Sequence, residues 1–146
     1  ISDAGCPGIA DPGAAVVAQA HKNGIKVVPL VGPSSILLAM MASGFNGQNF
    51  AFNGYLPIDK AERKAKIKQL EKRSIQDNQS QLFIETPYRN NQMLESLTTA
   101  LQKNTEICVA CDITLSTEYI RTAPAKDWKR IKVDLHKRPT MFIIQG

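Results

Sequence analysis

Residues able to do chemistry gather at a few places along these 146 residues. Glu85 and Arg89 stand four apart, flanking Thr86-Pro87. A carboxylate and a guanidinium at that spacing make a structural ion pair. Turned toward a ligand, the same two side chains would supply a base and a contact for an anion. Two turns are built from small residues, Ser2-Asp3-Ala4-Gly5 and Gly32-Pro33-Ser34-Ser35. Backbone of that kind can come close to a ligand and offer it amides and carbonyls. The second turn leads into a helix start, where free amides favour an anion. Capping is the competing reading for Asp3, Asp11 and Ser34. Cys108 and Cys111 have C-x-x-C spacing inside the apolar run Ile107-Cys108-Val109-Ala110-Cys111. Strand alternation would send them to opposite faces, as core thiols and not as a redox or zinc pair. His21 and His136 are far apart in the chain and read as surface residues. No residues show metal-ligand spacing, so no metal is expected.

The formal net charge is +5. Much of it is local: Lys60, Arg63, Lys64, Lys66, Lys68, Lys72 and Arg73 face only Glu62 and Glu71 in that stretch. A solvated helix face and a phosphate-facing surface both fit. No aromatic residues are interleaved there, so base stacking is not indicated. The longest apolar run, 36–42, is too short to cross a bilayer. Neither a membrane span nor a secretion signal is recognisable, and the three cysteines show no disulfide framework. A cytoplasmic protein is expected.

These residues need elements to hold them. Ile1 to Gly5 reads as the end of a strand running into a loop, so an amino-terminal part is expected to precede it. Asp11-Pro12 reads as a helix start, with Asp11 as cap and Pro12 in the first position. That helix should run over 13–23 and stop at Gly24. A short strand over 26–30 and a buried helix over 36–43 should follow. Residues 45–49 read as a linker. The expected domains are therefore 1–48, the remainder of a parallel α/β subdomain, and 49–146, a mixed-sheet α/β subdomain. In the latter, strands are expected over 50–54, 81–85, 106–113, 117–121 and 140–145, the last closing the sheet. Asp59 should cap a mostly exposed basic helix over 60–73, followed by a polar loop over 74–80. Thr86-Pro87 should open a helix carrying Met93, Leu94, Leu97, Ala100 and Leu101 at helical spacing. A short helix over 125–129 carries Trp128.

Two segments exceed this general grammar. Ile1-Ser2-Asp3-Ala4-Gly5-Cys6-Pro7-Gly8-Ile9-Ala10-Asp11-Pro12-Gly13 resembles the I-S-D-A-G-x-P-x-x-x-D-P-G signature of enzymes that 2′-O-methylate a cytidine in small-subunit ribosomal RNA. Those enzymes form a branch of the tetrapyrrole (corrin/porphyrin) methylase superfamily. Val27-Val28-Pro29-Leu30-Val31-Gly32-Pro33 is similar to their V-V-P-L-P-G-P segment. Asn53-Gly54-Tyr55-Leu56-Pro57 is similar to their E-G-F-L-P, and Ile84-Glu85-Thr86-Pro87-Tyr88-Arg89 to their Y-E-S-T/P-H-R. Order and spacing agree along the chain. The family's G-x-G-P-G-D loop is not among these residues, and Cys111-Asp112-Ile113-Thr114 departs from R-E-L-T.

The resemblance implies a tetrapyrrole-methylase-like α/β fold and S-adenosyl-L-methionine as cofactor, folded in a cleft between subdomains. Ser2, Asp3, Ala4 and Gly5 would form one wall and Gly32, Pro33, Ser34 and Ser35 another. Thr86 and Pro87, with Pro139 and Thr140, would add contacts from the second subdomain. Glu85 and Arg89 become catalytic candidates, as a base for a ribose hydroxyl and a phosphate contact. The implied activity is methylation of a ribosomal RNA 2′-hydroxyl by a homodimer acting on the small ribosomal subunit. A tetrapyrrole or other small acceptor is the alternative substrate, and a non-catalytic dimerising domain the alternative role.

Overall fold

The structure, a computed structural model, describes residues 5–146. It forms two compact units, Ile1–Ser35 and Ile36–Gly146. The division falls earlier in the chain than the 48/49 linker, for a packing reason. Helix α2 (Ser35–Ser43) buries Ile36, Ala39 and Met40 in one cluster with Leu82, Cys108, Ala110, Met141 and Ile143. The helix therefore packs on the sheet of the second unit.

In the first unit, helix α1 spans Ala14–Lys22. Its N-cap is Gly13, which makes no side-chain cap bond. The expected start at Asp11-Pro12 is thus displaced, and Asp11 does not cap. Gly24 lies just past the helix at φ +68, the left-handed conformation that ends a helix cheaply when no Cβ is present. The strand expected over 26–30 does not form. Val28 and Leu30 are exposed, and the described residues of the first unit include no strand to satisfy the amides of this segment. A β-like sequence pattern cannot hydrogen-bond without a neighbour.

The second unit runs β1 (Phe50–Tyr55), α3 (Lys60–Asp77), β2 (Ser80–Ile84), a 3-10 turn (Pro87–Arg89), α4 (Asn90–Ala100), β3 (Glu106–Cys111), β4 (Tyr119–Pro124), α5 (Ala125–Trp128) and β5 (Thr140–Gln145). The strands lie in the order β1-β2-β5-β3-β4. β1 and β2 are parallel, joined through α3, and the other pairs are antiparallel. The mixed sheet is as expected, but β5 is its middle strand and does not close it. Its run Met141-Phe142-Ile143-Ile144 is buried on both sides, as a central strand requires.

Helices α3, α4 and α5 cover one face. Ile67 and Leu70 of α3, Met93 and Leu97 of α4, and Trp128 of α5 meet Phe83, Ile107, Val109, Phe142 and Ile144 there. Phe83 and Phe142 stack with centroids 5.9 Å apart, and Trp128 Nε1 donates to the Ile107 carbonyl at 2.9 Å. Cys108 and Cys111 are buried free thiols that belong to the clusters on opposite faces, as the alternation required.

Asp59 caps α3 as expected, accepting from the amides of Ala61 and Glu62 at 2.9 Å. The helix nevertheless runs to Asp77, through the segment expected to be loop, and ends on Asn78 at φ +46. Its buried face is longer than the apolar pattern shows, because polar residues extend it. Glu71 and Ser74 are buried. Glu71 Oε1 accepts from the Thr105 hydroxyl at 2.5 Å and the Gln102 amide at 2.8 Å, and Ser74 Oγ accepts from the Gly146 amide at 3.0 Å. Satisfied polar groups can line a core that hydropathy does not reveal.

Candidate functional site

The candidate residues fall into two groups, one in each unit. Ser2, Asp3 and Ala4 lie outside the described residues. In the first unit Gly5 and the Gly32-Pro33 turn are brought together backbone to backbone. Gly5 has φ +96, and a Cβ built there would sit 2.5 Å from Pro33 Cγ and 2.8 Å from its carbonyl oxygen. A Cβ on Gly32 would collide with the Gly5 carbonyl oxygen. The Cys6 thiol donates to the Pro33 carbonyl at 3.2 Å. Only glycine permits this approach of two main chains. Ser34 follows this turn, and Ser35, exposed, is the first residue of α2.

In the second unit Thr86-Pro87 and Pro139-Thr140 adjoin at one end of the sheet. The register Ile84↔Met141 sets the end of β2 beside the start of β5. The Lys137 amide donates to the Pro87 carbonyl at 3.0 Å, and Asn90 Nδ2 to the Arg138 carbonyl at 2.7 Å. The Asp112 amide donates to the Pro139 carbonyl at 2.9 Å.

Glu85 and Arg89 do pair: Arg89 Nη2 lies 2.8 Å from Glu85 Oε1. The 3-10 turn Pro87–Arg89 between them shortens the reach of the guanidinium back to the carboxylate. The same oxygen accepts from the Thr86 amide at 2.6 Å. Burial acts to raise the Glu85 pKa, but the Arg89 hydrogen bond and the Thr86 amide outweigh it and hold the carboxyl below its usual range. Such a carboxylate is charged at neutral pH and weakly basic.

Its second oxygen is different. Among the described residues, the buried side-chain atoms that lack a hydrogen-bond partner are Glu85 Oε2, Arg89 Nε and Asn90 Oδ1. All three fall within six residues at the Thr86-Pro87 junction. Buried polar atoms are nearly always satisfied, so these three have hydrogen-bonding capacity for water or a polar ligand. Two of them accept and one donates, which fits a ligand carrying both kinds of group.

Sequence reasoning missed a second ion pair at this end of the sheet. Arg138 Nε contacts Asp112 Oδ2 at 2.8 Å, and the Thr117 hydroxyl donates to the same oxygen at 2.8 Å. The Arg138 hydrogen bond holds the Asp112 carboxyl below its usual range despite burial. Arg138 also donates to the carbonyls of Asp134 and Thr117. Non-glycine residues with positive φ gather along the same loops: Asp112 at +50, Thr114 at +72 and Lys137 at +60. Strain of that kind on a β-branched threonine persists only where surrounding contacts enforce it. The signal that could have found the pair was the acidic residue at 112, in the segment aligned with R-E-L-T. Among the described residues there is no cluster of His, Cys, Asp and Glu suited to a metal, and no helix is long and apolar enough to cross a membrane.

The chain has a tetrapyrrole-methylase-like α/β fold. It superposes on the crystal structure of the methyltransferase CobJ with a TM-score of 0.60 at 18% identity, over 97% of this chain and 62% of that one. At the level of sequence it is similar to proteins named ribosomal RNA small subunit methyltransferase I. The Vibrio cholerae protein is 36% identical over 124 residues, 85% of this chain and 42% of that protein. The Escherichia coli protein is 30% identical over 149 aligned positions, covering 100% of this chain and 51% of that protein. The Haemophilus influenzae protein is 32% identical over the same shares. The chain spans about half the length of the curated relatives it matches. No family model matches it. The resemblance carried by the front signature and its collinear partners agrees with these sequence matches, which are to proteins named for methylation of small-subunit ribosomal RNA.

Proposed function

We propose that the protein containing these residues transfers a methyl group from S-adenosyl-L-methionine to a ribose 2′-hydroxyl of small-subunit ribosomal RNA, as a cytoplasmic homodimer. One observation carries the reading. The signature segments shared with ribosomal RNA methyltransferases coincide with the two built features described above, the glycine turn at 5 and 32–33 and the orphaned polar cluster at 85–90. Neither feature supplies a residue to the two hydrophobic clusters.

When bound, S-adenosyl-L-methionine would supply a methyl group already activated on a sulfonium, so the protein's task is alignment. Gly5, Gly32 and Pro33 would present main-chain amides and carbonyls without side-chain obstruction, together with Ser2, Asp3 and Ala4 before them and Ser34 and Ser35 after. Thr86 and Pro87, with Pro139 and Thr140, would contribute from the junction in the second unit. Glu85 Oε2 and Asn90 Oδ1 would accept from ligand donors there, and Arg89 Nε would donate. The Glu85–Arg89 pair is a better positioning device than a base, because the bonds that fix Glu85 also lower its proton affinity.

The test is titration of S-adenosyl-L-methionine into the intact protein by calorimetry, followed by methyl incorporation assays. Small ribosomal subunits and precorrin-type acceptors are offered in parallel. Binding with methylation of ribosomal subunits alone supports the proposal. Methylation of the small acceptor alone, or no heat of binding, overturns it; absence of binding points to a non-catalytic dimerising domain.

A further inference from the structure

The basic helix α3 carries an ordered feature that its net charge does not convey. Lys60, Lys64, Lys68 and Lys72 recur every four residues and are all exposed. An α-helix rises about 1.5 Å per residue, so these four form a row stepping about 6 Å at a time. The row inclines by about 26° to the helix axis. None of the four joins an ion pair among the described residues. Like charges four apart destabilise a helix, and a cation at Lys60 in the first turn also opposes the helix dipole. No ion pair offsets this arrangement among the described residues.

The row borders two adjoining hollows along the α3–α4 surface. The first, about 170 Å³, is lined by Lys60, Arg63 and Lys64 on one side and by Glu95, Ser96 and Thr99 on the other. The second, about 420 Å³, is lined by Lys68 and Lys72 with Glu71 and Gln102. Ala100 reaches both. Arg63 is 3% exposed, yet its bonds go to neutral oxygens, the Ile58 carbonyl at 2.9 Å and Ser96 Oγ at 3.1 Å. A buried guanidinium with no carboxylate hydrogen-bonded to it contributes positive potential to the wall of the first hollow, which Asp59 at the start of α3 partly offsets. Glu95 offsets part of that charge.

We propose that this row is a docking track for the sugar–phosphate backbone of one RNA strand, with Lys60, Lys64, Lys68 and Lys72 meeting successive phosphates. Evenly stepped cations suit an evenly stepped polyanion, whereas a folded acidic protein presents its charges irregularly. Without aromatic residues the track reads backbone and not bases, so it would hold the substrate and leave selection of the nucleotide to the transfer site. The inference rests on the RNA reading above and names a part of the surface outside the candidate cofactor residues.

The test is fluorescence anisotropy of a labelled twelve-nucleotide single-stranded RNA on the intact protein, between 50 and 200 mM salt. The track variant carries Lys60→Gln, Lys64→Gln, Lys68→Gln and Lys72→Gln. A control variant loses the same charge at exposed Lys126, Lys129, Arg130 and Lys132. Four phosphate contacts on a single strand contribute a log–log salt slope of about −2.8, so over this range they account for a roughly fifty-fold change in affinity. The track variant should lose that dependence, and the control should keep most of it. The variant should melt no lower than the parent, since it relieves repulsion. Equal losses in both variants, or none in the track variant, overturn the proposal. So does altered self-association in sedimentation with an unchanged RNA slope, which would assign the row to a second copy of the chain. Methyl transfer to small subunits is measured in parallel. If the parent transfers methyl and the track variant keeps its KM, the track fails and the function stands. If the parent transfers none while the slope still depends on the row, the track stands and the function fails.

Discussion

Replacing Glu85 separates the two contributions that meet on its carboxylate. Oε1 accepts from Arg89 at 2.8 Å and from the Thr86 amide at 2.6 Å, with the Glu85 side chain 1% exposed and the Arg89 side chain 34% exposed. Truncation by Glu85→Ala leaves a partly buried amide and a partly buried cation without that acceptor. A hydrogen bond to a charged group contributes about 1.5–3 kcal/mol, so Ala should cost roughly 2–4 kcal/mol once partial exposure of Arg89 is allowed for. Glu85→Gln keeps an oxygen for Thr86 and loses the charge, and should cost about 1–2 kcal/mol. A double-mutant cycle with Arg89→Met should give a coupling energy of about 1–2 kcal/mol. The pH dependence has a definite sign. The carboxyl is held below its ordinary value in the fold, so its contribution is present above the unfolded value and is lost as pH falls through the folded one. Urea unfolding followed by circular dichroism at pH 7 and at pH 3 measures all of this. A coupling below about 0.3 kcal/mol, within the additivity of independent sites, would refute the idea that the pair fixes the junction.

Other consequences are open to equally direct measurement. Gly32→Ala should disturb the first unit, because its Cβ collides with the Gly5 carbonyl; faster proteolysis within residues 5–35 than in the parent would show it, and unchanged cleavage would argue against the close approach. In the native protein a thiol reagent should titrate Cys6 quickly and spare Cys108 and Cys111, which are buried and whose thiol pKa values burial pushes up; rapid modification of all three would contradict the packing. Asp112→Asn should weaken the bond to Arg138 at 2.8 Å and cost about 1–2 kcal/mol at pH 7. That loss should shrink as acidification protonates the parent, since the Asp112 carboxyl is held low in the fold, and urea midpoints across pH would reveal a constant difference if the pairing were unimportant.

How far the sequence alone led can be seen element by element. Apolar alternation placed Cys108 and Cys111 on opposite faces, and the capping residues placed the start of α3 and the end of α1, because these are local properties. The i, i+4 spacing of Glu85 and Arg89 suggested a pair, and the pair exists. The Thr86-Pro87 junction and the Pro139-Thr140 segment were named separately and lie together. What failed was decided by distant contacts. The 26–30 segment has strand composition but no ladder partner among the described residues. α3 extends through 74–77 because Glu71 and Ser74 are satisfied by Thr105, Gln102 and Gly146, far away in sequence. β5 lies in the middle of the sheet through antiparallel pairing with both β2 and β3, an order that periodicity does not encode. The Asp112–Arg138 pair escaped notice because its members are separated by 26 positions.

Methyl transfer is read most directly from the product. The intact protein is incubated with S-adenosyl-L-methionine carrying a labelled methyl group and unmodified small ribosomal subunits, and the RNA is digested to nucleosides for mass spectrometry. Label on the ribose of a single nucleoside type, retained when the base is cleaved away, is the predicted result. Label on a base, or RNA that stays unlabelled while the protein binds the methyl donor, would contradict the account.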